Sequence, residues 1–194
     1  MLLAGLGMLG PFAIDAYLPA FGNMAQRLNA TPVQLQQTLS FYLLTYAVTN
    51  LGAFGIIGLL ETNDRPRDQV RDYAGLWNEH PQLAGLMAIF LLSLGGFPPF
   101  GGFIAKWYVF TAAMEAGYSW LAIIGVLTSV VSVFFYLRVI VMMFMTPATA
   151  PMQLPAVPKL AGAALLVSAL IVFYLGVLPT QVMNWAAASI GTIF

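Results

Sequence analysis

Leu-Ser-Leu-Gly-Gly-Phe-Pro-Pro-Phe-Gly-Gly-Phe-Ile-Ala-Lys, residues 92–106, is the stretch on which the fold turns. It sits inside an apolar run, Gln82 to Gly117, that is too long for one straight membrane helix and short for two with a loop. The centre of the run, Gly95, Gly96, Phe97, Pro98, Pro99, Phe100, Gly101 and Gly102, is a strong helix-breaking string. The proline pair removes two backbone donors, and the flanking glycines let the chain depart from helical geometry. Four residues past Gly102 stands Lys106. The stretch therefore predicts a broken helix with a cation beside the break.

The rest of the chain makes lipid the solvent. Hydrophobic residues are 60% of the 194 and charged residues 7%, against about a quarter charged in soluble domains. A water-facing surface cannot be built from so few charges. The expected fold is all-α, a polytopic membrane protein of about five transmembrane helices, one of them broken at Gly95–Gly102. A first apolar segment, Leu2 to about Phe21, holds Asp15, Pro11 and Pro19, and lacks the basic start and cleavage site of a signal peptide. A polar stretch follows to Gln37. Further spans are expected at about 39–60, at 82–117 as the broken one, at 119–145 and at 159–178. A proline-rich loop with Pro147, Pro151, Pro155 and Pro158 precedes the last span. The tail 180–194 carries Val182, Trp185, Ala186 and Ile190 at helical spacing and is expected in the interface.

Several function classes fall away. The net charge is zero, so a nucleic-acid partner, which needs clustered Lys and Arg, is not expected. There is no cysteine and one histidine, His80, which leaves no thiolate chemistry and no histidine cluster for a metal. No phosphate loop or dinucleotide fingerprint is present, so no cofactor and no metal is expected on this chain.

Topology follows from charge. Glu61, Asp64, Arg65, Arg67, Asp68, Arg71, Asp72 and Glu79 place most of the chain's charge between residues 61 and 81. That loop is expected in water, with Asp68, Arg71 and Asp72 on one turn of surface helix. Its arginines mark it as cytoplasmic, and Lys159 with nearby Arg138 marks the 146–158 loop the same way. Both loops share a side only if 82–117 crosses once.

A single crossing puts Lys106 deep. It lies eleven residues before Gly117, or roughly 16 Å at helical rise, about half of a ~30 Å hydrocarbon core. A lysine there costs about 2.5–3.5 kcal/mol on insertion scales. Desolvation penalises the charged form, which lets such a group exchange a proton. Interrupted helices beside ionisable groups are what ion and proton carriers use. The alternative is a snorkelling lysine and a plain hairpin between two short helices. Asp15, Arg138 and Tyr136 are secondary candidates: Asp15 reads first as a cap or headgroup contact, and Arg138 as an interfacial anchor. Glu115 reads as solvated, His80 as a loop residue, and Met142, Met143 and Met145 as packing or lipid-facing.

From about Tyr42 onward the chain resembles the C-terminal third of the subunit N family of bacterial NADH-quinone oxidoreductases (respiratory complex I). The strings that carry the resemblance are 42–55 (Tyr-Leu-Leu-Thr-Tyr-Ala-Val-Thr-Asn-Leu-Gly-Ala-Phe-Gly), 72–76 (Asp-Tyr-Ala-Gly-Leu), 92–106 and 135–139 (Phe-Tyr-Leu-Arg-Val). The resemblance implies the last four helices of an antiporter-like subunit, with Lys106 matching the lysine at the end of a proton half-channel. It also implies a bacterial inner membrane location and other membrane subunits of the complex as partners. NADH, FMN, iron–sulfur clusters and quinone would belong to that complex, with no redox centre on this chain. The family's earlier charged residues, a lysine–glutamate pair and a central lysine, have no counterpart here, so the chain alone is expected not to pump.

Residues 1–41 resemble something else. Gly-Pro-Phe-Ala-Ile-Asp-Ala-Tyr-Leu-Pro-Ala-Phe (10–21), with 31–40, is similar to the start of Bcr/CflA-type major facilitator drug-efflux transporters. That implies a chimera joined near Ser40–Leu44, with Asp15 in the first helix of a proton-coupled antiporter. Three functions are thus in view: a truncated proton-translocating subunit, a drug or cation antiporter fragment, or a non-functional membrane piece.

Overall fold

The structure, a computed structural model, describes residues 32–61, 69–148 and 157–182. Asp15, the first apolar segment, the loop arginines 65 and 67 and most of the tail lie outside the described residues. All regular structure within them is helical: α1 (Pro32–Leu60), α2 (Leu76–Glu79), α3 (Pro81–Gly95), α4 (Gly101–Glu115), α5 (Ser119–Met145) and α6 (Lys159–Val177). A 3-10 turn, Val70–Tyr73, precedes α2, and a further helical turn covers 179–182.

Among the described residues, three stretches are long and apolar enough to cross a bilayer unaided: Gln37–Leu60, Ser119–Met145 and Lys159–Val177, with mean hydropathies of 1.7, 2.2 and 2.4. The helix around the first begins at Pro32, earlier than the expected residue 39, because Pro fits the first helical turn where its missing N–H is not needed. The helices α3 and α4 have 15 residues each, or about 22 Å apiece, and neither crosses a ~30 Å core alone.

Their neighbours show that α3 and α4 form a single crossing. α5 has 27 residues, about 40 Å, and touches both halves in reverse order. Its C-terminal end meets the residues just before α3: Gly75 N–H bonds the Met142 carbonyl at 3.3 Å, and Trp77 stacks on Phe144 at 4.9 Å. Further along, Tyr136 lies against Gly95 at the break. At its N-terminal end Tyr118 N–H bonds Ala113 near the close of α4. α1 gives the same order independently: Gly52 packs on Phe90, Thr49 reaches Ser93, Thr45 touches Gly101, and Phe41 meets Tyr108. Hairpin halves would lie side by side against one stretch of each neighbour. Here the halves lie end to end.

The charged loop is less immersed than its composition suggests. Tyr73, Ala74 and Leu76 are buried, because this part of the loop folds back under the end of α5. The expected surface turn through Arg71 and Asp72 is a 3-10 turn, and Asp72 accepts the Gln69 N–H at 2.9 Å, so its carboxylate closes the turn locally. Asp68 lies outside the described residues.

A helix break capped from both sides

The break is narrower than the string that signals it. Helical structure runs through Gly95 and resumes at Gly101, leaving only Gly96–Phe100 between. The Pro98–Pro99 peptide bond is cis. An interrupted helix in lipid must satisfy every freed backbone group from within the protein or from water, so the account of those groups defines the site.

At the end of α3 four carbonyls lose their helical partners. Gly96, at φ 82°, turns the chain back so that its N–H bonds Leu92 at 3.0 Å and Ser93 at 2.9 Å, while Phe97 N–H also bonds Leu92 at 3.0 Å. The carbonyls of Leu94 and Gly95 remain. Lys106 takes both: its Nζ donates to Leu94 at 3.0 Å and to Gly95 at 3.2 Å. The lysine, 8% exposed, thus bends back from α4 to cap α3, where the negative end of the helix dipole favours a cation. It does not snorkel to an interface. Gly96 is needed twice over, since a side chain there would be strained at positive φ and would lie 3.0 Å from Lys106 Cδ.

The start of α4 is capped from α3 in return. Phe100 occupies the N-cap position and offers no side-chain cap. Gly102 N–H instead bonds Ser93 Oγ at 3.2 Å, and Ser93 is fully buried. Two more hydroxyls continue from there along α1. Ser93 Oγ lies 3.4 Å from Thr49 Oγ1; Thr49 donates to the Thr45 carbonyl at 2.6 Å and Thr45 to the Phe41 carbonyl at 2.8 Å.

Small residues make the approach possible. A Cβ on Gly102 would overlap the Ser93 carbonyl, and one on Gly176 of α6 would overlap the Pro99 carbonyl. Gly101 is wedged between Leu175 and Thr45, each 3.0 Å from where its Cβ would stand. Sequence reasoning singled out Gly95, Gly96, Pro98, Pro99, Gly101, Gly102 and Lys106, and these residues do come together. It passed over Ser93, Thr45, Thr49 and Gly176. The i, i+4 threonines and a lone glycine in an apolar helix were the available signals.

Of the secondary candidates, Tyr136 and Arg138 lie within the described residues and Asp15 does not. Tyr136 is 1% exposed beside Gly95, with its hydroxyl unpartnered within the described residues. Arg138, two residues on, is exposed, as is Glu115. His80 is half-buried at the N-cap of α3. Met143 is fully buried, while Met145 is exposed.

The chemistry available follows from donor counts. An ammonium has three N–H donors and a neutral amine two. Lys106 can therefore lose a proton and still hold both carbonyls, gaining a free lone pair as it does. No carboxylate is required to keep it in place in either state.

A buried lysine closing a broken helix in a bundle of apolar helices marks a polytopic membrane protein. Residues 21–132 match the model of the family described as NADH:quinone oxidoreductase/Mrp antiporter, TM, and the chain belongs to that family. It is similar to NADH-quinone oxidoreductase subunit N of Trichlorobacter lovleyi, 43% identical over 153 residues, which cover 79% of this chain and 31% of that protein. The similarity to NADH-quinone oxidoreductase subunit N 2 of Acidobacterium capsulatum is 37% over 95% of this chain and 39% of the relative. A chain in the structure of respiratory complex I from Thermus thermophilus with bound aureothin superimposes with a TM-score of 0.69 at 26% identity, over 93% of this chain and 44% of that one. The chain thus spans about a third to less than half of the length of these relatives. It is a multi-pass protein of the bacterial inner membrane. The family match starts at residue 21 and the Acidobacterium alignment extends over nearly the whole chain, so the separate ancestry expected for residues 1–41 finds no support in them.

Proposed function

We propose that this chain is part of the antiporter-like subunit N of an NADH-quinone oxidoreductase, and that Lys106 is the group in it that takes up and releases a proton. The observation that carries the reading is the capping of Leu94 and Gly95 by Lys106. It holds a titratable amine at the centre of a crossing through bonds that survive loss of the proton. A charge moving nearby would tip the balance between the two forms, and the polar break would admit water to exchange with it. Other membrane subunits of the complex are the partners in this reading. NADH, FMN, iron–sulfur clusters and quinone are handled elsewhere in the complex, and their oxidation–reduction drives the charge shift.

The test is Lys106→Ala in the full-length subunit within its complex. Proton translocation per assembled complex is expected to fall; unchanged translocation at normal assembly would sink the role. The resemblance of residues 1–41 to drug-efflux transporters has its own check. An antiporter of that kind would confer drug resistance that disappears with Asp15→Asn, and expression without any resistance would count against it.

A further inference from the structure

Where α1, α3 and α4 meet, the donors of the hydroxyl bonds are assigned by counting protons. Each hydroxyl has one. Thr45 spends its proton on the Phe41 carbonyl and Thr49 on the Thr45 carbonyl. Thr49 Oγ1 can then only accept from Ser93, so Ser93 donates to Thr49 while accepting the Gly102 N–H. The order runs one way: Gly102 N–H to Ser93, Ser93 to Thr49, Thr49 to the α1 backbone. Both ends of the broken helix are thereby referred to one fixed point on a continuous helix.

We propose that Ser93 is a positioning residue for the Lys106 site, holding the two half-helices at the separation where Lys106 meets the Leu94 and Gly95 carbonyls. Ser93 immediately precedes Leu94, so the residue that fixes the start of α4 also fixes the carbonyls that receive the lysine. The lysine itself is only four residues beyond Gly102, little more than one helical turn. A shift of α4 by a fraction of a turn would move Nζ out of hydrogen-bond range of both carbonyls. Glycine at 102 is required because any side chain would strike Ser93 itself. The inference rests on the proton-carrying reading of Lys106, but its own claim concerns Ser93 and Thr49.

The experiment uses the full-length subunit in its complex, measuring assembled complex and proton translocation per complex separately. Lys106→Ala sets the size of the full deficit. Thr49→Val removes the acceptor with little change of shape and is expected to produce roughly half of that deficit or more at normal assembly; Thr49→Ser, which keeps the hydroxyl, is expected to restore translocation. Ser93→Ala should match Thr49→Val, and the double variant should be no worse than Ser93→Ala, the non-additivity expected of residues in one network. Normal translocation in assembled Thr49→Val complex would overturn the proposal even if Lys106→Ala is defective. A Thr49→Ser variant as defective as Thr49→Val would overturn it too, by showing a packing role. If Ser93→Ala fails to assemble, the valine–serine pair at position 49 still decides. A Lys106→Ala complex that pumps normally would instead remove the function on which the inference stands.

Discussion

At the scale of single residues, the site is built by the atoms its glycines lack. Gly102 and Gly176 let the Ser93 and Pro99 carbonyls come into direct backbone contact with neighbouring helices. In lipid, packing of this kind replaces the hydrophobic drive that brings helices together in water. Gly102→Ala and Gly176→Ala are each expected to destabilise by about 1–3 kcal/mol, the usual cost of overpacking a close contact. Gly58 has nothing within 4 Å of where its Cβ would be. Gly58→Ala is therefore expected to be neutral or slightly stabilising, since alanine is the better helix former. Thermal denaturation of the purified variants in detergent checks all three, and equal effects at 58 and 102 would refute the steric account.

At the scale of elements, the broken helix differs from a hairpin in how its loose ends are closed. The Leu92 and Ser93 carbonyls are met by the turn at Gly96, and the Leu94 and Gly95 carbonyls by Lys106. A hydrogen bond to a charged donor contributes about 1.5–3 kcal/mol, comparable to the insertion cost of the lysine at that depth, about 2.5–3.5 kcal/mol. The capping thus offsets much of the expense of placing Lys106 there. Gly96→Ala should cost about 1–2 kcal/mol from the left-handed backbone alone and crowd the lysine further. Hydrogen exchange of the amides at 96, 97 and 102 is expected to speed up in that variant while the middle of α5 stays protected. Uniform acceleration across the chain would mean global destabilisation and contradict a local role for Gly96. The position of this break was readable because prolines and glycines act on their own backbone. Its five-residue extent was not, since glycine is tolerated in the flanking helical turns when neighbours pack on it.

For the whole molecule, the end-to-end arrangement of α3 and α4 along α1 and α5 fixes the topology. The chain has no cysteine, so single cysteines can be introduced without background. Glu79→Cys and Glu115→Cys, at the two ends of the broken span, are expected to react with membrane-impermeant maleimide from opposite sides, position 79 from the cytoplasm. Labelling of both from one side would mean a hairpin and would undo the depth assigned to Lys106. The face of α5 bearing Trp120, Ile123, Leu127, Val130 and Phe134 is exposed, which in an apolar solvent carries no penalty.

Composition and pattern alone pointed to a chain that lives in lipid, that is helical, and that breaks one apolar run beside a lysine. Those properties are local: a run of apolar side chains, a missing N–H, a left-handed turn. The burial of Tyr73 and Leu76 under α5, the hydroxyl path from α1, and above all the direction of Lys106 were decided by tertiary structure. From one backbone position a lysine side chain can turn toward either end of its own helix. Which way it turns depends on where unsatisfied carbonyls stand, and the folding of α3 and α4 against α1 places two of them at its tip.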